Sequence, residues 1–219
     1  LYPGGIDDRL IDVIAREGKI LKYLDIPLQH CNDKILKKMN RRGDKKYLCA
    51  LLDKLRERIP GLVLRTSIIA GLPGEGEEEF DELCDFLREQ KLLRAGVFPY
   101  SPEEGTRAAK MERVDSDEAA RRAERIVDIQ SEIIDAWNDE RQGDVMEVLC
   151  EGFDGQSMLF VGRSYAESPD IDGRIYFSAP RDVAAGEFVP VRITGAMDGE
   201  LTGAAEGRAC SLIDQLKDS

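Results

Sequence analysis

Residues 64–80 read LRTSIIAGLPGEGEEEF, and the period of the pattern changes inside them. Up to Ala70 the chain reads as a strand, with Arg65 and Ser67 sharing one face of an otherwise apolar run. Gly71-Leu-Pro-Gly74 then marks a tight turn. Glu77, Glu78 and Glu79 follow, acidic residues that favour the positive end of a helix dipole. Strand, turn and helix make one βα unit, and successive units of this kind build a parallel sheet.

The same pattern repeats on both sides. Residues 19–29 and 94–100 read as strands, and 44–58 and 77–90 as helices. In the first helix Asp44 can cap while Tyr47, Leu48, Leu51, Leu52 and Leu55 recur at helical spacing. A longer helix begins near Ser116, where Ala119, Ala123, Ile126, Ile129, Ile133 and Trp137 form an apolar stripe. Residues 1–140 are thus predicted to form three βα units closed by a last helix.

Beyond Glu140 the texture changes. Short β-type runs at 145–150, 158–163, 173–177 and 188–193 alternate with Asp154-Gly155, Asp172-Gly173 and Asp198-Gly199 turns. This predicts a small antiparallel β-barrel of the OB sort over 141–210, with a polar tail at 211–219.

The 219 residues are 42% hydrophobic and 34% charged, a globular composition, with a net charge of −12. No apolar run is long enough to span a membrane and no leader pattern opens the chain, so a cytoplasmic protein is expected. Cys31, Cys49, Cys84, Cys150 and Cys210 are scattered, and no close-spaced pairs suggest a metal site. His30, the lone histidine, stands beside Cys31 and is read as a wall residue rather than a ligand. Against the acidic total, Lys34, Lys37, Lys38, Arg41, Arg42, Lys45 and Lys46 crowd one stretch, either a solvated helix face or an anion-docking patch.

Strand alternation places Asp25, Pro27 and Gln29 on one face and Leu24, Ile26 and Leu28 on the other. In a parallel barrel the apolar set packs outward on the helices and functional groups gather at the C-terminal ends of the strands, where His30 falls. Arg65, inside a strand, needs an anion: a substrate carboxylate or an acidic neighbour. The Gly71–Gly74 turn brings backbone N–H groups near a ligand, without the Lys-Ser/Thr ending of a P-loop.

Taken in order, DIPLQH (25–30), MNRRG (39–43), LRTSIIAGLPGEGEEEF (64–80), GVFPYSPEEGTRAA (96–109) and GRSYAESPDIDGRIY (162–176) resemble the radical S-adenosylmethionine (SAM) methylthiotransferases, most closely the RimO type. That resemblance implies an α/β fold: the C-terminal half of a radical-SAM (β/α) barrel, then a TRAM domain. It implies a reaction on the β-carbon of an aspartate in ribosomal protein twelve of the small subunit, with S-adenosyl-L-methionine and two [4Fe-4S] clusters as cofactors. Gln29, Arg65, Ser67, Gly71, Gly74 and Val97 are expected to line the cofactor site. Asp25, His30, Arg41, Arg42 and Tyr100 are expected at the substrate mouth. The CxxxCxxC loop that holds the family's radical-generating cluster has no counterpart here. The chain is therefore expected to be a catalytically silent fragment, with no catalytic or metal-ligating residue of its own and an open sheet edge beside 62–71 or 19–29.

From Arg141 to Ala209 six basic residues face twelve acidic ones. Such a barrel attracts a basic ribosomal protein and repels phosphates. Glu167, Asp170 and Asp172 are expected to meet that partner. The alternatives are a tRNA substrate, as in the MiaB type, or a non-catalytic binding module built on the TRAM domain.

Overall fold

The computed structural model describes residues 1–207, so the tail at 211–219 and Cys210 lie outside the described residues. The chain divides into two compact units within one long helix, between Ile133 and Ile134. The boundary expected at Arg141 comes later than this division: Trp137 packs on the second core and the Asn138 side chain donates to the Gly199 carbonyl at 3.0 Å.

The first unit runs α1 (Asp8–Arg16), β1 (Tyr23–Asp25), α2 (Asp33–Lys38), α3 (Lys45–Arg58), β2 (Val63–Ala70), α4 (Glu77–Gln90), β3 (Arg94–Pro99) and α5 (Ser116–Glu140). The three strands are parallel in the order β1-β2-β3, so the βα repeat read from sequence is present. β2 is the central strand, paired on both sides, which removes 62–71 as an open edge and leaves β1 and β3 at the edges.

The first strand is shorter than the 19–29 expected. Pro27 has no N–H to give, and Gln29 adopts φ 67°, so the ladder breaks after Asp25. The Leu28 N–H goes to the Thr66 hydroxyl at 3.1 Å, and pairing resumes where the Gln29 N–H meets the Ser67 carbonyl at 2.8 Å. The alternation survives: Leu24, Ile26 and Leu28 are buried, while Asp25 is exposed.

Helix starts follow their caps. Asp44 accepts the Tyr47 N–H at 2.7 Å, Asn32 caps α2, and Asp115 accepts the N–H groups of Asp117 and Glu118. Leu48, Leu51, Leu52 and Leu55 of α3, Phe80, Leu83 and Leu87 of α4, and Ala123, Ile126 and Ile129 of α5 pack with Leu64 and Ile68 of β2 into one core.

The second unit is a closed barrel of β4 (Val145–Asp154), β5 (Leu159–Arg163), β6 (Ile175–Ser178), β7 (Phe188–Met197) and β8 (Glu200–Ala205), ordered β4-β5-β6-β8-β7. It is antiparallel except for one parallel ladder, β6 with β8, and every strand is paired on both sides. Asp198 and Gly199, both at positive φ, form the two-residue turn from β7 to β8. Gly162 and Gly203 sit where strands cross closely: a Cβ would lie 2.3 Å from the Leu149 carbonyl and 2.5 Å from that of Arg192. Val148, Phe177, Val191 and Ile193 fill the interior.

Candidate functional site

In-register pairing brings the polar residues of the strands onto one face. Asp25 lies beside Arg65, and Ser67 beside Gly96. The Arg65 Nη1 is 2.7 Å from Asp25 Oδ2, so of the two anions open to this arginine the structure supplies the acidic neighbour. Gly96 leaves room for that guanidinium, since a Cβ there would stand 3.4 Å from Arg65 Nη2. Gln29 Oε1 accepts from Arg41 Nε at 3.1 Å while Arg41 Nη1 donates to the Pro27 carbonyl at 2.8 Å. Burial holds the Arg41 guanidinium below its ordinary range.

At the C-terminal ends of β2 and β3 a cleft of about 380 Å³ opens between Ile69, Phe98, Pro99 and Tyr100 on one side and Glu103, Thr106 and Ala108 on the other. The Tyr100 N–H is tied to the Ala70 carbonyl at 2.8 Å, whereas its hydroxyl is buried with no hydrogen-bond partner among the described residues. Apolar walls with a spare hydroxyl suit a ligand that carries a planar ring and its own hydrogen-bonding groups. The polar face beside them, with Ser67 half-buried, fits the rest of an amphiphilic cofactor such as S-adenosylmethionine. Among the described cysteines, burial raises the thiols of Cys31, Cys84 and Cys150, the opposite of the shift that thiolate ligation uses.

Five expected residues thus come together on the sheet face: Asp25, Gln29, Arg65, Ser67 and Arg41. Others stand elsewhere. Val97 pairs in register with Ile68 and packs on the helix-covered core, so only its backbone borders this face. Arg42 is exposed on the loop before α3, its N–H donating to the Tyr2 hydroxyl at 3.2 Å. His30 has no exposed surface, which takes it out of the mouth.

His30 belongs instead to a buried polar hub centred on Glu75, a residue whose importance the turn sequence alone does not reveal. Glu75 Oε1 accepts the Gly71 N–H at 2.9 Å and Arg122 Nη1 at 2.9 Å, and Oε2 lies 3.4 Å from His30 Nε2. The other ring nitrogen, Nδ1, accepts the Asn32 N–H at 3.0 Å. Burial raises the Glu75 carboxyl, but His30, the Gly71 N–H and Arg122 outweigh it and hold the group below the ordinary glutamate range. The Gly71 N–H, expected to face a ligand, is therefore taken up inside the turn. Gly74, at φ 83°, has the Lys38 ammonium against the place where a Cβ would stand.

In the barrel, Glu167 is 4% exposed and accepts the Ser164 N–H at 2.8 Å and its hydroxyl at 2.6 Å. It holds its own loop and cannot face a partner. Asp172 accepts the Ser168 N–H at 2.8 Å, and Asp170 alone of the three is exposed. Four of the five described barrel arginines are matched locally, Arg141 with Asp144, Arg163 with Glu151, Arg181 with Glu187 and Arg192 with Glu206, while Arg174 is exposed outside any ion pair among the described residues. Glu147, Asp170, Asp182 and Asp198 face solvent outside any ion pair among the described residues. No described helix is long and apolar enough to cross a membrane.

Residues 1–87 match the radical SAM superfamily, and residues 143–205 match the TRAM domain. A ribosomal protein uS12 methylthiotransferase RimO of Pelotomaculum thermopropionicum is 47% identical over 92% of this chain and 46% of its own length. Its namesake in Symbiobacterium thermophilum is 45% identical over 93% of this chain and 43% of its own. The chain therefore spans about half the length of the curated relatives it matches. Among solved structures, the radical SAM enzyme coproporphyrinogen III oxidase of Escherichia coli shares the fold, with a TM-score of 0.52 at 17% identity, covering 88% of this chain and 45% of that one. By its two domain matches, their order and its relatives, the chain belongs to the radical SAM methylthiotransferases that carry a TRAM domain.

Proposed function

We propose that this chain forms part of a cytoplasmic methylthiotransferase that modifies the β-carbon of an aspartate in ribosomal protein uS12. Relatives named as ribosomal protein uS12 methylthiotransferases, matched over nearly the whole of this chain, support the enzyme class and the protein substrate. The observation that carries the choice of a protein substrate is the pairing of the barrel's arginines. With Arg163, Arg181 and Arg192 held by carboxylates, the charges left to meet a partner are mainly acidic, which favours a basic protein and opposes a phosphate backbone.

S-adenosylmethionine, when bound, supplies a carbon radical for hydrogen abstraction and a methyl group for transfer. Ser67 and the Tyr100 hydroxyl would bind its polar groups, Ile69 and Phe98 would exclude water around its ring, and the Asp25–Arg65 pair would orient its charged end. The two [4Fe-4S] clusters of the family would be ligated by cysteines outside this sequence, so the chain alone is expected to be inactive. Reconstituted with iron and sulfide, the chain should yield no 5′-deoxyadenosine. The same segment within a protein that carries the CxxxCxxC loop should yield it and should modify uS12 but not tRNA. Product from the isolated chain, or a modified tRNA, overturns the reading.

A further inference from the structure

Among the described residues β3 pairs only with β2, along the six residues Arg94–Pro99. Successive residues of a strand turn their backbone groups to opposite sides. The Tyr100 N–H goes to the Ala70 carbonyl at 2.8 Å, so Gly96 and Phe98 turn their N–H and C=O groups to β2, while Ala95, Val97 and Pro99 turn theirs outward. Pro99 stands where an edge tolerates proline, since its missing N–H costs β2 no bond. No hydrogen bond among the described residues takes up the outward groups of Ala95 and Val97. Residues 95–98 also carry no charge, proline or bulge, the devices that usually block an edge. The opposite edge, β1, is only three residues long and ends before Pro27. The β3 edge borders the candidate cofactor site as well: Gly96 lies beside Ser67, and Phe98, 53% exposed, lines the cleft of about 380 Å³.

We infer that this edge takes an extended segment of the protein substrate as a fourth strand of the sheet, bonded through the backbone of Ala95 and Val97. A row of N–H and C=O groups at strand spacing is matched by another polypeptide in extended form, whereas a nucleotide chain offers no such alternation. On the added strand, the side chains level with Gly96 and Phe98 fall on the polar face of the sheet, the face that carries Ser67. Phe98 leans over Gly96, where a Cβ would stand 3.2 Å from its ring, so a side chain entering in this row passes along an aromatic surface. The backbone ladder fixes the segment and leaves its side chains free to reach the site. The inference rests on the substrate being a protein, as proposed above for uS12, and adds how that protein is held.

The test is amide hydrogen exchange of the full 219-residue chain, followed residue by residue by NMR, with and without excess uS12. On binding, the Ala95 and Val97 N–H groups should slow by about tenfold or more, and by more than those of Gly96 and Phe98, which are already bonded to β2. Ala95→Pro removes one outward donor and leaves the β2 ladder intact, so it should weaken uS12 binding by about tenfold. Ala95→Ser keeps the donor and should bind like the parent; circular dichroism checks the folding of both variants. Binding of uS12 that leaves Ala95 and Val97 unprotected, or that is indifferent to Ala95→Pro, overturns this inference and spares the uS12 reading. Failure of uS12 to bind overturns the inference, and binding of tRNA in its place overturns that reading as well.

Discussion

The two units place their strongest ion pairs differently. In the first, a carboxylate and a guanidinium are taken fully inside: Glu75 and Arg122 have side chains 0% and 6% exposed, and backbone N–H groups complete the site. In the barrel the ion pairs stay at the surface, and the interior around Val148, Phe177 and Val191 is apolar. An open three-stranded sheet needs its turn tied to the covering helix, and the Glu75–Arg122 pair does so across 47 residues of chain. The barrel closes on itself through backbone ladders, so it depends on close strand approach at glycines instead.

The sharpest way to break this contrast is to remove one side of the buried pair. Arg122→Leu leaves Glu75 without its cation and should cost about 3–5 kcal/mol, measured by urea unfolding of the helical signal in circular dichroism. A loss below about 1 kcal/mol would mean that the pair does not anchor the turn. Trp137, the lone tryptophan, packs against the barrel core, so its fluorescence reports the second unit and should shift little in the same variant.

Next in size is Gly162→Ala, which drives a methyl group into the Leu149 carbonyl. It should cost about 1–3 kcal/mol by Trp137 fluorescence and leave the first unit alone. A normal barrel transition would show that closure does not depend on this approach.

The pH dependence bears on the same buried hub. Because the Glu75 carboxyl is held below its ordinary range, its contribution is present above the unfolded pKa and is lost as pH falls through the folded one. Acid should therefore weaken the first unit, and Glu75→Gln should flatten that limb while lowering stability near neutrality. An unchanged acid limb would contradict the assigned role. The smallest effect is expected at the surface: Arg163→Ala, which breaks a half-exposed pair with Glu151, should change stability by less than about 1 kcal/mol.

Much of the fold was legible because its signals are local. The period change in 64–80, the Asp44 cap and the Asp-Gly turns each act within a few residues. α2 was not read because six residues with four charges make no apolar stripe, and β8 because ELTGAA is short and interrupted by glycine. The Asp25–Arg65 pair was one of two readable outcomes, since alternation placed both residues on the face that register then joined. Glu75 was opaque for the opposite reason: its partners, His30 and Arg122, come from distant segments. Glu167 misled because an acidic residue in a polar loop reads as surface, and only the turn geometry shows its carboxylate folded back onto Ser164.

The choice of a basic protein over RNA as the barrel's partner is tested most directly by equilibrium binding of uS12 and of tRNA to this chain at physiological salt, with Arg163 and Arg181 intact. Tight uS12 binding that weakens as salt rises, with tRNA at least tenfold weaker, is expected. Tight tRNA binding with none to uS12 would contradict the assignment.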